Sequence, residues 1–179
     1  MNIQLFRSLF AVVALAQTAL AGAGDLASTR DRLECGDADV SVETSCLALP
    51  EIDTQCARQT IRLENRRKGI SKKLPHEGQP VAKSFVKAGP VLDALVTSWA
   101  CLKSTSGKSY ILLLYTCSWG EEKPSCTGNA KEWERLFDAT GRHLTAGFRR
   151  QDRRYDALYR RIGLSEIMRR GADLQTVRR

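Results

Sequence analysis

Two histidines, His76 and His143, are the only side chains of this protein whose ordinary pKa lies near neutral pH. The chain is basic, with 28 lysines and arginines against 20 acidic residues and a formal net charge of +8. Two histidines in a basic chain can act as base and acid on a phosphodiester, which is the chemistry of a small nuclease. His76, however, lies in a segment rich in proline and glycine, and His143 lies beside a turn, where histidines are usually exposed and without a catalytic role. A secreted nuclease-like hydrolase is therefore the alternative hypothesis and not the main one.

The stretch TSGKS (105–109) ends like a phosphate-binding loop. The complete pattern needs a glycine where Leu102 stands and a helix afterwards, whereas an apolar stretch typical of a strand follows here. No Gly-x-Ser-x-Gly sequence is present, and no pair of carboxylates stands out from surface acids such as Glu121 and Glu122. We therefore predict an ordinary turn at 105–109, no nucleotide, no cofactor and no enzymatic activity.

The six cysteines could be metal ligands, nucleophiles or disulfides. Residues 1–21 contain one basic residue, Arg7, then an apolar run and the small residues Ala19 and Ala21. This is the pattern of a secretory signal peptide. Such a signal predicts a periplasmic or secreted protein, and an even number of cysteines there is typical of disulfides. No metal site is predicted, because the thiols are paired and only two histidines remain. The predicted disulfide residues are Cys35, Cys46, Cys56, Cys101, Cys117 and Cys126.

Two of these cysteines, Cys101 and Cys117, lie one on each strand of the predicted hairpin TSWACLKSTSGKSYILLLYTCSW. With its centre between residues 106 and 107, Cys101 faces Leu112 and Cys117 faces Val96. Successive side chains of a strand point to opposite faces, so this register puts the two cysteines on opposite faces and out of reach of each other. Cys101 and Cys117 are therefore predicted not to bond each other.

The layout of the cysteines restricts their pairing. Three lie in each half of the chain, so complete pairing needs at least one bridge between the halves. Cys117 is predicted to close a short loop to Cys126, which leaves Cys101 to pair with a cysteine of the first half.

Hydrophobic periodicity predicts the elements that position these residues. Residues 38–49 alternate like a half-exposed strand, and 55–69 fit a strand better than a short helix. Residues 70–90 are predicted to form a long loop with one short strand at 82–86, and 132–148 a second strand-turn-strand unit. The predicted fold is mainly β, an antiparallel sheet or a small sandwich or barrel, braced by disulfides and followed by a C-terminal amphipathic helix.

One domain is predicted over 22–171, with a disordered basic tail over 172–179. The helix is predicted over 152–162, because apolar side chains repeat with helical spacing and Gly163 follows as a natural end. These apolar residues are Tyr155, Leu158, Tyr159 and Ile162. Ser165 is predicted to begin one further turn of helix.

Arginines dominate the C-terminal part of the chain. Residues 141–179 contain 11 arginines, no lysine and 4 acidic residues. They form either a solvated helix face or a surface for anions, since the guanidinium group suits carboxylates and phosphates. The candidate anion-binding residues are Arg149, Arg150, Arg153, Arg154, Arg160 and Arg161. The partner would be an acidic protein, an anionic lipid or glycan of the cell envelope or, less favoured, a nucleic acid.

The layout from Trp99 to Leu144, W-A-C … SGKSY … C … C … EW-x-x-L-F-D-x-x-G-x-x-L, resembles small periplasmic immunity proteins and lysozyme inhibitors of Gram-negative bacteria. The resemblance implies an all-β, disulfide-braced module that binds a toxic or lytic enzyme through a protruding loop. Its partner-binding residues would be Ser106, Gly107, Lys108 and Tyr110. The framework of six cysteines departs from the compact pattern of those inhibitors.

The main hypothesis is therefore a periplasmic or secreted, non-enzymatic binding protein of the inhibitor or immunity type. It binds a protein partner through the turn at 104–109 and neighbouring loops. Its alternatives are the small hydrolase and an envelope factor that binds anionic lipid or glycan through the arginines.

Overall fold

The computed structural model describes residues 26–47, 55–83, 86, 89–118, 131–149 and 152–179. The predicted signal peptide, Cys126 and Arg150 lie outside these residues. The strands are β1 (Leu26–Cys35), β2 (Ala38–Leu47), β3 (Gln55–Asn65), β4 (Ile70–Lys73), β5 (Pro80–Val81), β6 (Val91–Leu92), β7 (Ala94–Lys103), β8 (Ser109–Cys117), β9 (Glu132–Asp138) and β10 (Gln175–Thr176). The helices are α1 (Arg154–Ile162) and α2 (Ser165–Arg170), and a 3-10 turn covers Arg66–Lys68.

Two four-stranded antiparallel sheets form a sandwich. The first sheet has the order β1-β2-β3-β4, and the second has the order β10-β7-β8-β9. The two sheets face each other because each buries alternate apolar side chains in one shared core. Examples are Val40 and Val42 of β2 in the first sheet and Leu113 and Tyr115 of β8 in the second, all fully buried. The prediction of a mainly β, antiparallel fold is confirmed, and the sandwich is the form that it takes.

The helices form a third layer on the outer face of the second sheet. Tyr155, Leu158 and Tyr159 of α1 pack against Leu112 and Leu136 of β8 and β9. The helix ends at Gly163, whose φ of 76° is the left-handed conformation that favours glycine at a helix end. The predicted C-terminal amphipathic helix is confirmed.

The C-terminal segment differs from the disordered tail predicted over 172–179. Strand β10 pairs with β7, and Val177 is buried in the core with 1 % of its surface exposed. Arg178 donates from its backbone N–H and its Nε to Asp31 of β1, at 2.8 and 2.7 Å. Disorder was predicted from the charge of the segment. Its position is instead fixed by the buried side chain of Val177 and by the ion pair between Arg178 and Asp31.

Disulfides join the sheets and the strands. Cys35 bonds Cys101, which links β1 to β7 across the sandwich and confirms the predicted bridge between the two halves. Cys46 bonds Cys56, which links β2 to the neighbouring β3. Cys117 is disulfide-bonded, and its predicted bond to Cys126 stays a prediction because Cys126 lies outside the described residues.

The predicted register of the β7–β8 hairpin was wrong by one residue. Cys101 faces Ile111 instead of Leu112, and after an irregularity between Val96 and Ser98 the strand is shifted again, so that Cys117 faces Ala94. Ile111 and Cys117 are an even number of positions apart, so the two cysteines lie on the same face and not on opposite faces. They still do not bond each other, since six positions of a strand span about 20 Å.

Candidate functional site

Four turns meet at one end of the sandwich, which we call the loop end. They are the β1–β2 turn at 36–37, the 3-10 turn Arg66–Lys68, the β7–β8 turn at 104–108 and the turn at 139–142 after β9. In an antiparallel sheet, a short turn joins neighbouring strands at the end where one strand stops and the next begins. Turns of both sheets can therefore lie at the same end of the sandwich. A groove of about 570 Å³ lies between residues of all four turns.

The groove at the loop end carries excess positive charge. Lys68, Lys103 and Lys108 line it, and none of the three forms an ion pair with any residue that the structure describes. Its two acidic residues are paired, Asp37 with an arginine of the 3-10 turn at 3.2 Å and Asp138 with an arginine of its own turn at 3.2 Å. The groove therefore suits an acidic group of a partner.

The β7–β8 turn is held in one shape by its own hydrogen bonds. The Ser104 hydroxyl is buried, lies 3.0 Å from the Ser106 hydroxyl and accepts from the Lys108 N–H at 3.2 Å. Gly107 has a φ of 79°, which a side chain would disfavour. The turn is also fixed to the end of α1, because the Thr105 N–H donates to the Gly163 carbonyl at 3.1 Å.

Of the four residues that the resemblance assigns to a partner, three lie at the tip of this turn. Ser106, Gly107 and Lys108 are exposed. Tyr110 is only 7 % exposed and belongs to the core between the second sheet and α1. Its main role in the structure is therefore packing. Sequence reasoning missed Lys68 and Lys103, although the basic run at 66–68 was visible.

His76 is placed as a structural residue. Its Nδ1 accepts from the Gly78 N–H at 3.1 Å, and its Nε2 donates to the Gln59 side-chain carbonyl at 3.0 Å. Burial lowers the pKa of His76 and nearby Lys73 adds to this shift, while a backbone hydrogen bond of Gly78 opposes it. Both ring nitrogens of His76 are therefore hydrogen-bonded within the protein, and neither is left to exchange a proton with a substrate.

His143 lies beside β9 and forms an isolated antiparallel bridge with Phe137. Its ring stacks on Phe137, with 4.4 Å between centroids, and its Nε2 is 3.2 Å from the Thr145 hydroxyl. Burial lowers the pKa of His143. Neither histidine lines the groove at the loop end, so the pair that motivated the nuclease hypothesis is not presented there.

The predicted anion-binding arginines do not form one surface. Arg154 is engaged, because it donates to Asp152 at 2.6 Å and lies 4.3 Å from the centre of the Phe148 ring. Arg153 and Arg160 line a second groove beside α1, while Arg149 and Arg161 are exposed outside both grooves. Arg150 lies outside the described residues.

The part of the chain that the structure describes holds no cluster of three histidine, cysteine or acidic side chains arranged to bind a metal ion. Nor does it hold a helix of the length and hydropathy needed to cross a membrane.

Comparisons of the chain with protein families, with curated proteins and with solved structures found no match.

Proposed function

We propose that this protein is a periplasmic or secreted, non-enzymatic binding protein that recognises an acidic surface of a protein partner through its loop end. A toxic or lytic enzyme, held in an inhibitor or immunity complex, is the partner class that the resemblance of residues 99–144 implies. Two disulfides and the predicted signal peptide agree with an oxidising compartment.

The observation that carries the proposal is the rigid β7–β8 turn beside three lysines that form no ion pair with any described residue. The turn places Ser106, Gly107 and Lys108 on the surface, and its internal hydrogen bonds limit the entropy that binding would cost. Lys68 and Lys103 extend the positive surface into the groove. Such a surface favours fast, salt-dependent association with an acidic partner.

The experiment is a capture from envelope extract with the mature, oxidised protein. Wild type is compared with a variant in which Lys68, Lys103 and Lys108 are all changed to Gln. The proposal expects one partner to be retained by wild type and to bind the purified variant at least about 10-fold more weakly, which is a modest loss for three charges at an interface. Binding should also weaken as salt concentration rises.

A matched control removes the same charge elsewhere, by changing Arg58, Arg149 and Arg161 to Gln. All three are exposed and form no ion pair with a described residue. The control should bind like wild type. Equal weakening in both variants would mean that net charge, and not the loop end, governs binding, and a partner that binds the lysine variant unchanged would contradict the proposal.

A further inference from the structure

The outer face of the first sheet is a polar surface on the opposite side of the molecule from the helices. Alternate side chains of β1–β4 enter the core, and the side chains between them point away from the second sheet. Between Ser28 and Lys73, the outward side chains of these strands are all polar, and all are exposed or half-buried. This face is therefore accessible to a partner.

The strand register arranges the charges of this face in two rows that run across the four strands. Residues that lie directly opposite each other on neighbouring strands form one row. The basic row consists of Arg32, Ser41, Arg62 and Lys73. The acidic row, two positions nearer the loop end, consists of Glu34, Asp39, Glu64 and Ser71. The two rows lie about 7 Å apart, because two residues of a strand span that distance.

The charges of the two rows remain able to pair with a partner. Arg62, Glu34 and Glu64 form no ion pair with a residue that the structure describes. Arg32 pairs with Asp39 at 2.7 Å, and 54 % of the Arg32 side chain is still exposed. The face thus presents opposite charges in adjacent rows.

This arrangement discriminates between kinds of partner. A linear polyanion on the basic row would be repelled by the acidic row, since about 7 Å is less than the screening length of about 8 Å at physiological ionic strength. A polycation on the acidic row would be repelled by the basic row in the same way. A partner that itself carries one basic and one acidic row pairs with both, and a second copy of this chain has such a surface.

We infer that the outer face of the first sheet binds a second copy of this chain, related by a two-fold axis that runs across the strands between the two rows. This rotation places each strand against its own copy, and each basic row against the acidic row of the other molecule. Arg62 then faces Glu64 of the second copy, and Arg32 faces Glu34 of the second copy. Each contact occurs twice because the axis is two-fold. Two sheets usually pack face to face with their strands nearly aligned, as this rotation requires.

The inference goes beyond the function proposed for the loop end, since no residue of either row lines the groove there. Because the rows lie near the end of the sheet, the overlap is about six residues long and four strands wide. It covers roughly 400 Å² per partner, about half the area of a standard interface. Exposed ion pairs each contribute little, so we expect a weak dimer with a Kd on the order of 0.1 mM.

The test is sedimentation equilibrium of the mature, oxidised protein at concentrations up to about 1 mM, which is tenfold the expected Kd. Wild type should be mostly dimeric at the highest concentration, and dimerisation should weaken as salt concentration rises. Two charge-reversed variants should each stay monomeric, because like charges then face each other. The acidic variant combines Arg32→Glu with Arg62→Glu, and the basic variant combines Glu34→Arg with Glu64→Arg. A mixture of the two variants should again form a dimer, because every reversed charge then faces a charge of opposite sign.

Changing Arg149 and Arg161 to Glu gives the matched control, since it alters the net charge as much as the acidic variant does, at exposed positions outside the first sheet. This control and the triple lysine variant of the loop end should dimerise like wild type. Circular dichroism checks that each variant is folded.

Three results would overturn the inference: a wild type that stays monomeric at the highest concentration, charge-reversed variants that dimerise like wild type, or a mixture of the two variants that stays monomeric. A monomeric wild type that binds heparin, when the acidic variant does not, would also overturn it, because the face would then bind a polyanion. None of these results would affect the lysine-dependent binding proposed for the loop end.

Discussion

Gln59 shows how one polar side chain can join the two sheets. Its carbonyl accepts from the Val96 N–H at 2.7 Å and from His76 at 3.0 Å, and its amide donates to the Val96 carbonyl at 3.0 Å and the Thr44 hydroxyl at 3.1 Å. Val96 is next to the irregularity of β7, where the β7–β8 ladder is interrupted. Gln59 therefore supplies hydrogen bonds to backbone groups at that irregularity.

His76 is expected to titrate below 6.5, its ordinary value. A second proton would have to sit on Nδ1, which now accepts from the Gly78 N–H, but the Gly78 carbonyl lies 3.4 Å away and can accept from that proton. Burial of the positive charge is therefore the main cost of protonation. Since the unfolded chain takes up this proton first, the free energy of unfolding should fall as the pH drops below 6.5 and continue falling until the folded protein is protonated as well.

An NMR titration of the two histidine rings measures this pKa directly, and denaturant unfolding above and below pH 6.5 measures the stability. A His76→Gln variant should lose less stability over that interval than wild type. A His76 ring that titrates at or above its ordinary pKa would show that the ring is not buried in solution as the structure has it.

Among the elements, the two-residue strand β10 fixes the C-terminal segment to the second sheet and to the core. It adds a fourth strand to the second sheet beside β7, and the next residue, Val177, enters the core between the sheets. The Val177 N–H also donates to the Thr97 carbonyl at 2.9 Å, at the irregularity of β7. The segment thus closes one side of the sandwich.

Val177→Ala should lower the free energy of unfolding by about 2 kcal/mol, through lost apolar burial and the cavity left behind. Leu174→Ala is the matched control, because Leu174 is 43 % exposed and its truncation should change stability by less than about 0.5 kcal/mol. Denaturant unfolding of both variants checks this. Equal effects would mean that residues 175–178 do not hold their place in the folded molecule.

The sequence allowed some elements to be predicted and not others, for physical reasons. Strand β2 alternates apolar and polar residues, and α1 repeats its apolar residues at helical spacing, so each carries its own periodic signal. Strands β4 and β10 carry none, since ISKK and QT are short and mostly exposed and are strands only because a neighbouring edge pairs with them. The pairing of β10 with the distant β7 leaves no local trace in the sequence, and β4 pairs with β3 across a short turn without an apolar pattern of its own.

The sequence likewise predicted one part of the candidate site and not the other. The turn at 104–108 was predicted from its own residues, since serine and glycine favour turns. The groove around it was not, because Lys68 reaches it from a turn of the first sheet and Lys103 from the end of β7 in the second sheet. The predicted contribution of Tyr110 to partner binding rested on the resemblance of SGKSY (106–110) to periplasmic inhibitors, whereas β8 directs this side chain into the core under α1.

For the molecule as a whole, the two described disulfides differ in what they restrain. The Cys35–Cys101 bond joins residues 66 positions apart and ties one sheet to the other, whereas the Cys46–Cys56 bond joins residues 10 positions apart within one sheet. In the chain-entropy account, a cross-link restricts the unfolded chain more when it closes a longer loop.

Replacing Cys35 and Cys101 with Ala should therefore lower the free energy of unfolding by about 4 kcal/mol, and replacing Cys46 and Cys56 by about 3 kcal/mol. Denaturant unfolding of the two double variants gives the comparison. The opposite order would indicate that local effects within the first sheet outweigh loop closure.

The contact between Arg178 and Asp31 has a consequence for the order in which the molecule can be made. The two residues are 147 positions apart, so β1 is synthesised long before the C-terminal segment that contacts it is available. Cys35 and Cys101 can pair much earlier, because only 66 positions separate them. A chain emerging into an oxidising compartment would thus pass through a cross-linked state whose core is open beside β7, and in that interval it is most exposed to proteases and to aggregation.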